Sequence, residues 1–181
     1  MNGSSANEMK DPEEQLEIVN QNGEVIGLAP RTEAHSNPSL MHRVVHVLVF
    51  DPGGRLLLQK RSLSKDVAPG MWDTSVGGHV GIGEELPLAA VREMQEELGI
   101  PDCDMEYLYT YIHRGRHETE LVSTYRCIYN GDISFNRNEI DEVRFWSIEE
   151  IRSAAGKGIL SMHFEDELRS YLAYTPRTSG P

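Results

Sequence analysis

Residues Gly78–Ile100 read GHVGIGEELPLAAVREMQEELGI. Pro87 suits a first helical position, Val91, Met94 and Leu98 recur at spacings of three and four, and Gly99 is placed to cap the C-terminal end. The spacing predicts a helix over Pro87–Leu98 with one apolar stripe that packs on a sheet. Glu93, Glu96 and Glu97 fall on another side. Glu93 lies three and four residues before the other two, so the carboxylates project from neighbouring turns toward one patch of space. Like charges at that spacing destabilise a helix by a few tenths of a kcal/mol per pair, roughly, unless cations sit among them. Mg²⁺ and Mn²⁺, which prefer oxygen ligands, fit such a patch. Arg92 adjoins it and can pair with a carboxylate to fix its orientation. Taken alone, the helix leaves a solvated acidic face open as the alternative.

The segments around this helix supply strands and further helices. Leu16–Val19 and Val25–Leu28 flank Asn22-Gly23, a turn dipeptide that accepts positive φ, and read as a hairpin. Val44–Phe50 is apolar on both faces apart from His46. Asp51-Pro52-Gly53-Gly54 then turns the chain into Arg55–Lys60, which predicts a second, buried strand pair. Thr74–Gly77, Tyr107–His113, Leu121–Tyr129 and Val143–Trp146 are further strand candidates. Ser147 with Glu150 forms a capping pattern for a second helix, and a third covers about 163–173. The order is mixed α and β. Residues 1–14 and 175–181 are polar and expected to be disordered tails around one domain spanning 15–174.

The pattern from Gly78 through Glu84 and Arg92-Glu93 to Glu96-Glu97, Gly99 and Ile100 is GX5EX7REUXEEXGU without a mismatch, U being a bulky apolar residue. This resembles the Nudix box. The resemblance implies an α/β fold, the Nudix α/β/α sandwich with a mixed sheet and a loop-helix-loop that holds metal and diphosphate. By position it makes Glu93 and Glu97 metal ligands, Glu96 a further ligand or the group that deprotonates water, and Arg92 a carboxylate clamp. It groups Arg92, Glu96 and Glu97 as the catalytic set and Gly78, Glu84 and Gly99 as the framework of the loop. The implied cofactor is Mg²⁺ or Mn²⁺, which would neutralise phosphoryl oxygens and acidify a bound water.

A narrower resemblance runs through EAHSNPSLMHR (His35, His42), Arg61-Ser-Leu-Ser-Lys65, PGMWDTSVGGH (ending at His79) and Glu118-Thr119-Glu120. These segments look like type I isopentenyl diphosphate isomerase, a Nudix relative. The likeness implies a second divalent metal on His35, His42, His79, Glu118 and Glu120, and a diphosphate held by Arg61 and Lys65. Imidazole with carboxylate suits Mn²⁺, Zn²⁺ or Fe²⁺. The chain departs from that family at Gly77, where the isomerase carries its catalytic cysteine immediately before Gly-His. Neither Cys103 nor Cys127 obviously replaces it.

The resulting expectation is a metal-dependent hydrolase that cleaves a pyrophosphate linkage in a small nucleoside-diphosphate-type substrate. An isomerase and a non-catalytic ligand-binding Nudix domain are the alternatives. Glu139 and Glu142 read as solvated loop carboxylates, with the extra base of related enzymes as the alternative; Trp72 and Tyr111 read as packing aromatics ahead of stacking platforms for a substrate base, and His46 as a hydrogen-bonded core residue. The net charge of −12, from 17 Lys+Arg against 29 Asp+Glu, opposes binding to nucleic acid polymers or an anionic membrane surface, so an anionic substrate would need metal. No apolar run approaches a membrane span, no signal peptide is evident and the two cysteines form no CxxC, which points to the cytoplasm. A homodimer is compatible with the sequence.

Overall fold

The computed structural model describes residues 13–65, 67–101 and 103–174. The strands are β1 (Gln15–Val19), β2 (Val25–Pro30), β3 (Met41–Phe50), β4 (Leu56–Arg61), β5 (Trp72–Asp73), β6 (Val76–His79), β7 (Glu106–Arg114), β8 (Thr119–Ile128) and β9 (Ile140–Trp146). The helices are α1 (Arg31–Ala34), α2 (Leu86–Leu98), α3 (Ile148–Ala154) and α4 (Met162–Ala173). The short α1 was not anticipated; a single turn is too brief to show helical periodicity. The tails expected at 1–14 and 175–181 fall mostly outside the described residues. Glu13 and Glu14 do contact the fold: Thr32 N donates to Glu13 Oε1 and Arg31 N to the Glu14 carbonyl.

β3 organises the sheet. It pairs in parallel with β8 over its whole length, from Met41↔Thr119 to Phe50↔Ile128, while its other edge takes β6 over Val44–Val47. Its side chains alternate as a strand buried on both faces requires. Val45, Val47 and Val49 join Ala89, Ala90, Met94 and Leu98 of α2 in one core cluster. Leu48 and Phe50 join Leu56, Leu58, Ile151, Phe164 and Leu168 in the other, under α3 and α4. A mixed sheet between two helical layers is the expected α/β/α architecture.

The helix stripe differs in detail from its sequence reading. Val91 is only half-buried, whereas Ala89 and Ala90 are fully buried with Met94 and Leu98. Small residues let the helix backbone approach the sheet closely, so alanines do what bulk was expected to do. Gly99 adopts φ 62°, the left-handed cap, and its N–H bonds the Gln95 carbonyl. At α3, Ser147 and Glu150 form the reciprocal capping box.

The second strand pair is corrected. β3 and β4 meet only at Phe50↔Leu56, beside the turn; β4 then pairs with β9 and β5. The segment before β6 wedges between them, and Ser75 closes the gap. Its buried hydroxyl donates to the Leu57 carbonyl at 2.5 Å and accepts from Val49 N at 2.9 Å. Two backbone groups left unpaired where the strands part are thereby satisfied. The divergence opens a cleft at the far ends of β4 and β6.

Candidate active site

α2 lies over β6 so that Glu93 and Glu97 point at the backbone of Gly77 and Gly78. Glycine at 78 lets Glu93 lie across the backbone: a β-carbon there would stand 2.0 Å from Glu93 Cδ and displace that side chain. Glu97 is 8% exposed and accepts from Gln59 Nε2 at 3.0 Å and from the Gly77 backbone N–H. Burial, reinforced by the charges of Glu93 and Glu139, pushes the Glu97 carboxyl up to about 8. Burial also raises Glu93, against the opposing effect of Arg92. Glu96 is different, with its side chain 60% exposed on the rim. The expected convergence of three carboxylates is therefore two turned inward and one facing solvent.

Arg92 ties the loop to the helix. Its Nε and Nη2 donate to the two oxygens of Glu84 at 3.0 and 2.9 Å, Nη1 donates to Glu93 at 2.6 Å, and Nη2 also reaches the His79 carbonyl at 2.9 Å. Glu84 Oε2 in turn accepts from Gly81 N at 2.8 Å. With its guanidinium so committed, Arg92 is placed to position Glu93 rather than to meet substrate.

The histidines gather on the face of the sheet that α4 covers. The centroids of His35, His42 and His79 lie 5.0–5.3 Å apart, and the Nε2 atoms of His35 and His79 approach to 2.9 Å. Glu118 Oε2 is 3.2 Å from His35 Nδ1, and Glu120 Oε1 is 3.7 Å from His42 Nε2. His42 is fully buried, yet neither ring nitrogen has a hydrogen-bond partner among the described residues; Glu118 Oε2 and Glu120 Oε2 meet imidazole nitrogens as ion-pair contacts, at 3.2 Å from His35 and 3.3 Å from His163, without an aligned hydrogen bond. Orphaned buried donors and acceptors carry a penalty of roughly 1–3 kcal/mol each. A divalent cation among them would remove it, so these nitrogen and oxygen donors fit a borderline metal such as Mn²⁺, Zn²⁺ or Fe²⁺.

Both groups open on one cavity of about 830 Å³, lined also by Arg61 and Lys65. Arg61 Nε donates to the Val67 carbonyl at 2.8 Å, and Lys65 Nζ lies 3.3 Å from Glu139 Oε2. The cavity thus joins acidic and imidazole donors to two cations.

Some residues of this region were weighed lightly or missed in the sequence reading. Glu139 lines the cavity and raises Glu97, so it is more than the solvated loop carboxylate expected. Gln59 and His163 also line it, and neither carried a signal of its own. His163 joins through the docking of α4, a long-range event that local spacing does not encode. His46 is the core residue expected, with Nδ1 2.7 Å from buried Glu167. Its ring also borders the cavity and packs on Gly77: a β-carbon at 77 would stand 3.1 Å from His46 Cδ2 and 3.3 Å from Nε2. Trp72 stacks edge-on against Trp146, and Tyr111 donates to Glu167 at 3.1 Å, consistent with packing roles.

Comparison with known proteins adds four findings. The NUDIX domain family model matches residues 40–163. The chain is 46% identical over 172 residues to an isopentenyl-diphosphate Delta-isomerase of Streptomyces avermitilis, covering 92% of this chain and 87% of that one. It is 33% identical over 138 residues to the uncharacterized Nudix hydrolase YfcD of Salmonella typhi, covering 76% and 74%. Among solved structures, DR0079 from Deinococcus radiodurans superposes with a TM-score of 0.76 at 28% identity, covering 87% of this chain and 98% of that one.

Proposed function

The chain belongs to the Nudix family, in a branch similar to isopentenyl diphosphate isomerases, and we propose that it hydrolyses a pyrophosphate linkage in a small nucleoside-diphosphate-type substrate. The observation that carries this reading is the pair of buried Glu97 and half-buried Glu93, set against Gly77 and Gly78 in the cavity that Arg61 and Lys65 also line. Glu93 has Arg92 as its counter-charge, whereas Glu97 is bonded to the neutral Gln59 amide, and a carboxylate withdrawn from water costs several kcal/mol, roughly, if ionised without a cation. Such a pair suits a metal better than it suits the fold.

Glu93 and Glu97, with Glu96 at the rim, would hold Mg²⁺ or Mn²⁺; the bound ion would supply charge to the phosphoryl oxygens and lower the pKa of a water. Arg61 and Lys65 neutralise the rest of the diphosphate and fix its place in the cavity. Arg92 holds Glu93 in the orientation that this requires. Glu96, the most exposed of the three box carboxylates, accepts the proton of the attacking water. His35, His42 and His79 with Glu118 and Glu120 would hold a second divalent ion in the same cavity.

The isomerase reading is favoured by the identity to the Streptomyces avermitilis protein and by the histidine and glutamate cluster. Against it stands Gly77, where the required thiol is absent and where the His46 imidazole already presses on the position a side chain would take.

The test is an assay of the purified chain with Mg²⁺ or Mn²⁺ against nucleoside di- and triphosphates, nucleotide sugars and dinucleotide polyphosphates, beside Glu97→Gln. That variant keeps the size of the side chain and loses the charge. The expected result is turnover that drops at least about a thousandfold in the variant, the scale of losing a principal electrostatic group. Turnover unchanged by the substitution would exclude the metal role of Glu97.

A further inference from the structure

Glu120 occupies a row of three across the sheet. Its register partner on β3 is His42, and its partner on β7 is His113. Residues directly opposite in adjacent strands present their side chains to the same face. Only one of these two histidines belongs to the group formed with His35 and His79.

The carboxylate oxygens divide accordingly. Glu120 Oε1 faces His42, while Oε2 lies 3.3 Å from His163 Nε2; Glu118 Oε2 faces His35, while Oε1 lies 3.5 Å from the same His163 nitrogen. Each carboxylate straddles two sets of imidazoles. His163, brought in by α4, packs at a tilt of 34° against His113 with centroids 4.0 Å apart. His113 is 1% exposed, and its Nδ1 lies 2.6 Å from Asp166 Oδ2. Donation of the Nδ1 proton to that carboxylate leaves the Nε2 lone pair to a ligand, the arrangement in which a carboxylate orients a metal-binding imidazole. The ligand atoms of His113, Glu120 and His163 all lie within 4.8 Å of one another.

We propose that His113 and His163, with Glu118 and Glu120 as bridging carboxylates, form a second transition-metal position beside the one on His35, His42 and His79, making this a dinuclear centre. The inference rests on the reading of that first histidine position, because the two share both glutamates. The donor set of two imidazoles and carboxylate oxygen selects Mn²⁺, Fe²⁺, Co²⁺ or Zn²⁺ over Mg²⁺. Asp166 is a positioning residue: it holds the tautomer and orientation of His113 and touches no metal.

The experiment is a metal count on the full chain. Protein stripped by a chelator is reloaded with Co²⁺ in excess Mg²⁺, which fills the oxygen-only box site, then desalted; bound cobalt is measured by elemental analysis and its absorption spectrum. Two Co²⁺ per chain are expected, falling to one in His163→Gln and in His113→Gln. Asp166→Asn retains every ligand, so it serves where the His113 variant fails to fold by circular dichroism. It should weaken one cobalt by about 10- to 100-fold and leave the other unchanged. One cobalt in the wild type, lost in His35→Gln but indifferent to His113→Gln and His163→Gln, would overturn the second position and keep the first, with His163 acting as the counter-cation of the glutamates. No cobalt in the wild type would overturn both.

Discussion

Two adjacent glycines carry different burdens. Gly78 exists so that Glu93 can lie across the backbone, and the obstacle its replacement would meet is the far end of a flexible side chain. Gly78→Ala should therefore leave the fold intact, with less than about 1 kcal/mol lost, but turn Glu93 away from the site. The Mg²⁺ concentration for half-maximal activity should rise at least about tenfold, equivalent to 1.4 kcal/mol. An unchanged metal requirement would mean that Glu93 is not a ligand. Gly77 instead faces a packed imidazole held by Glu167, itself bonded to Tyr109, Tyr111 and Thr124. Gly77→Cys would restore the isomerase thiol by sequence, yet the crowding against His46 should cost about 1–3 kcal/mol of stability and yield no isomerisation. Urea unfolding and an isopentenyl diphosphate assay check both halves. Efficient isomerisation by this single variant would show that His46 gives way and that the thiol alone was missing.

At the scale of elements, the sheet depends on a side chain where backbone pairing fails. Ser75 alone bridges Val49 N and Leu57 O as β3 and β4 part. Ser75→Ala should leave two buried backbone groups unpaired, at roughly 1–3 kcal/mol for each. A fall of about 2–4 kcal/mol in unfolding free energy is expected, against almost none for exposed Ser153→Ala; a loss below about 0.5 kcal/mol would contradict the bridging role. The contrast with α2 is instructive about what a sequence discloses. The helix, its glycine cap and the Ser147 capping box follow from contacts within a few residues, and all three were legible. The splaying of β3 from β4 was not, because the turn at Asp51–Gly54 has the local chemistry of a hairpin and the separation comes from β6 entering between the strands.

At the scale of the molecule, the same distinction separates the two halves of the site. The Glu93–Glu97 arrangement was readable because one helix and one loop build it, although which carboxylate would be buried was decided by how closely Ala89 and Ala90 let α2 approach the sheet. The residues His35, His42, His79, Glu118 and Glu120 were found through resemblance, and the end of α1 with β3, β6 and the start of β8 brings them together. His113 and His163 were invisible until β7 and α4 took their places, since His113 sits in a strand pattern like any other and His163 only opens a helix. Among the described residues no helix is long and apolar enough to cross a membrane. The cavity is thus assembled from every layer of the fold, with carboxylates from α2, imidazoles from β3, β6 and α4, and cations from the β4 end.

The most direct test of the central claim sets hydrolysis against isomerisation in one preparation. Wild-type protein with Mg²⁺ is given nucleoside diphosphate derivatives and isopentenyl diphosphate in parallel, and products are followed by phosphorus magnetic resonance, with proton spectra for the isoprenoid. Cleavage of a nucleotide pyrophosphate bond that Glu97→Gln abolishes, with isopentenyl diphosphate unchanged, is the predicted result. Isomerisation of isopentenyl diphosphate without cleavage of any nucleotide would contradict it, and would place the chemistry on residues other than a thiol at position 77.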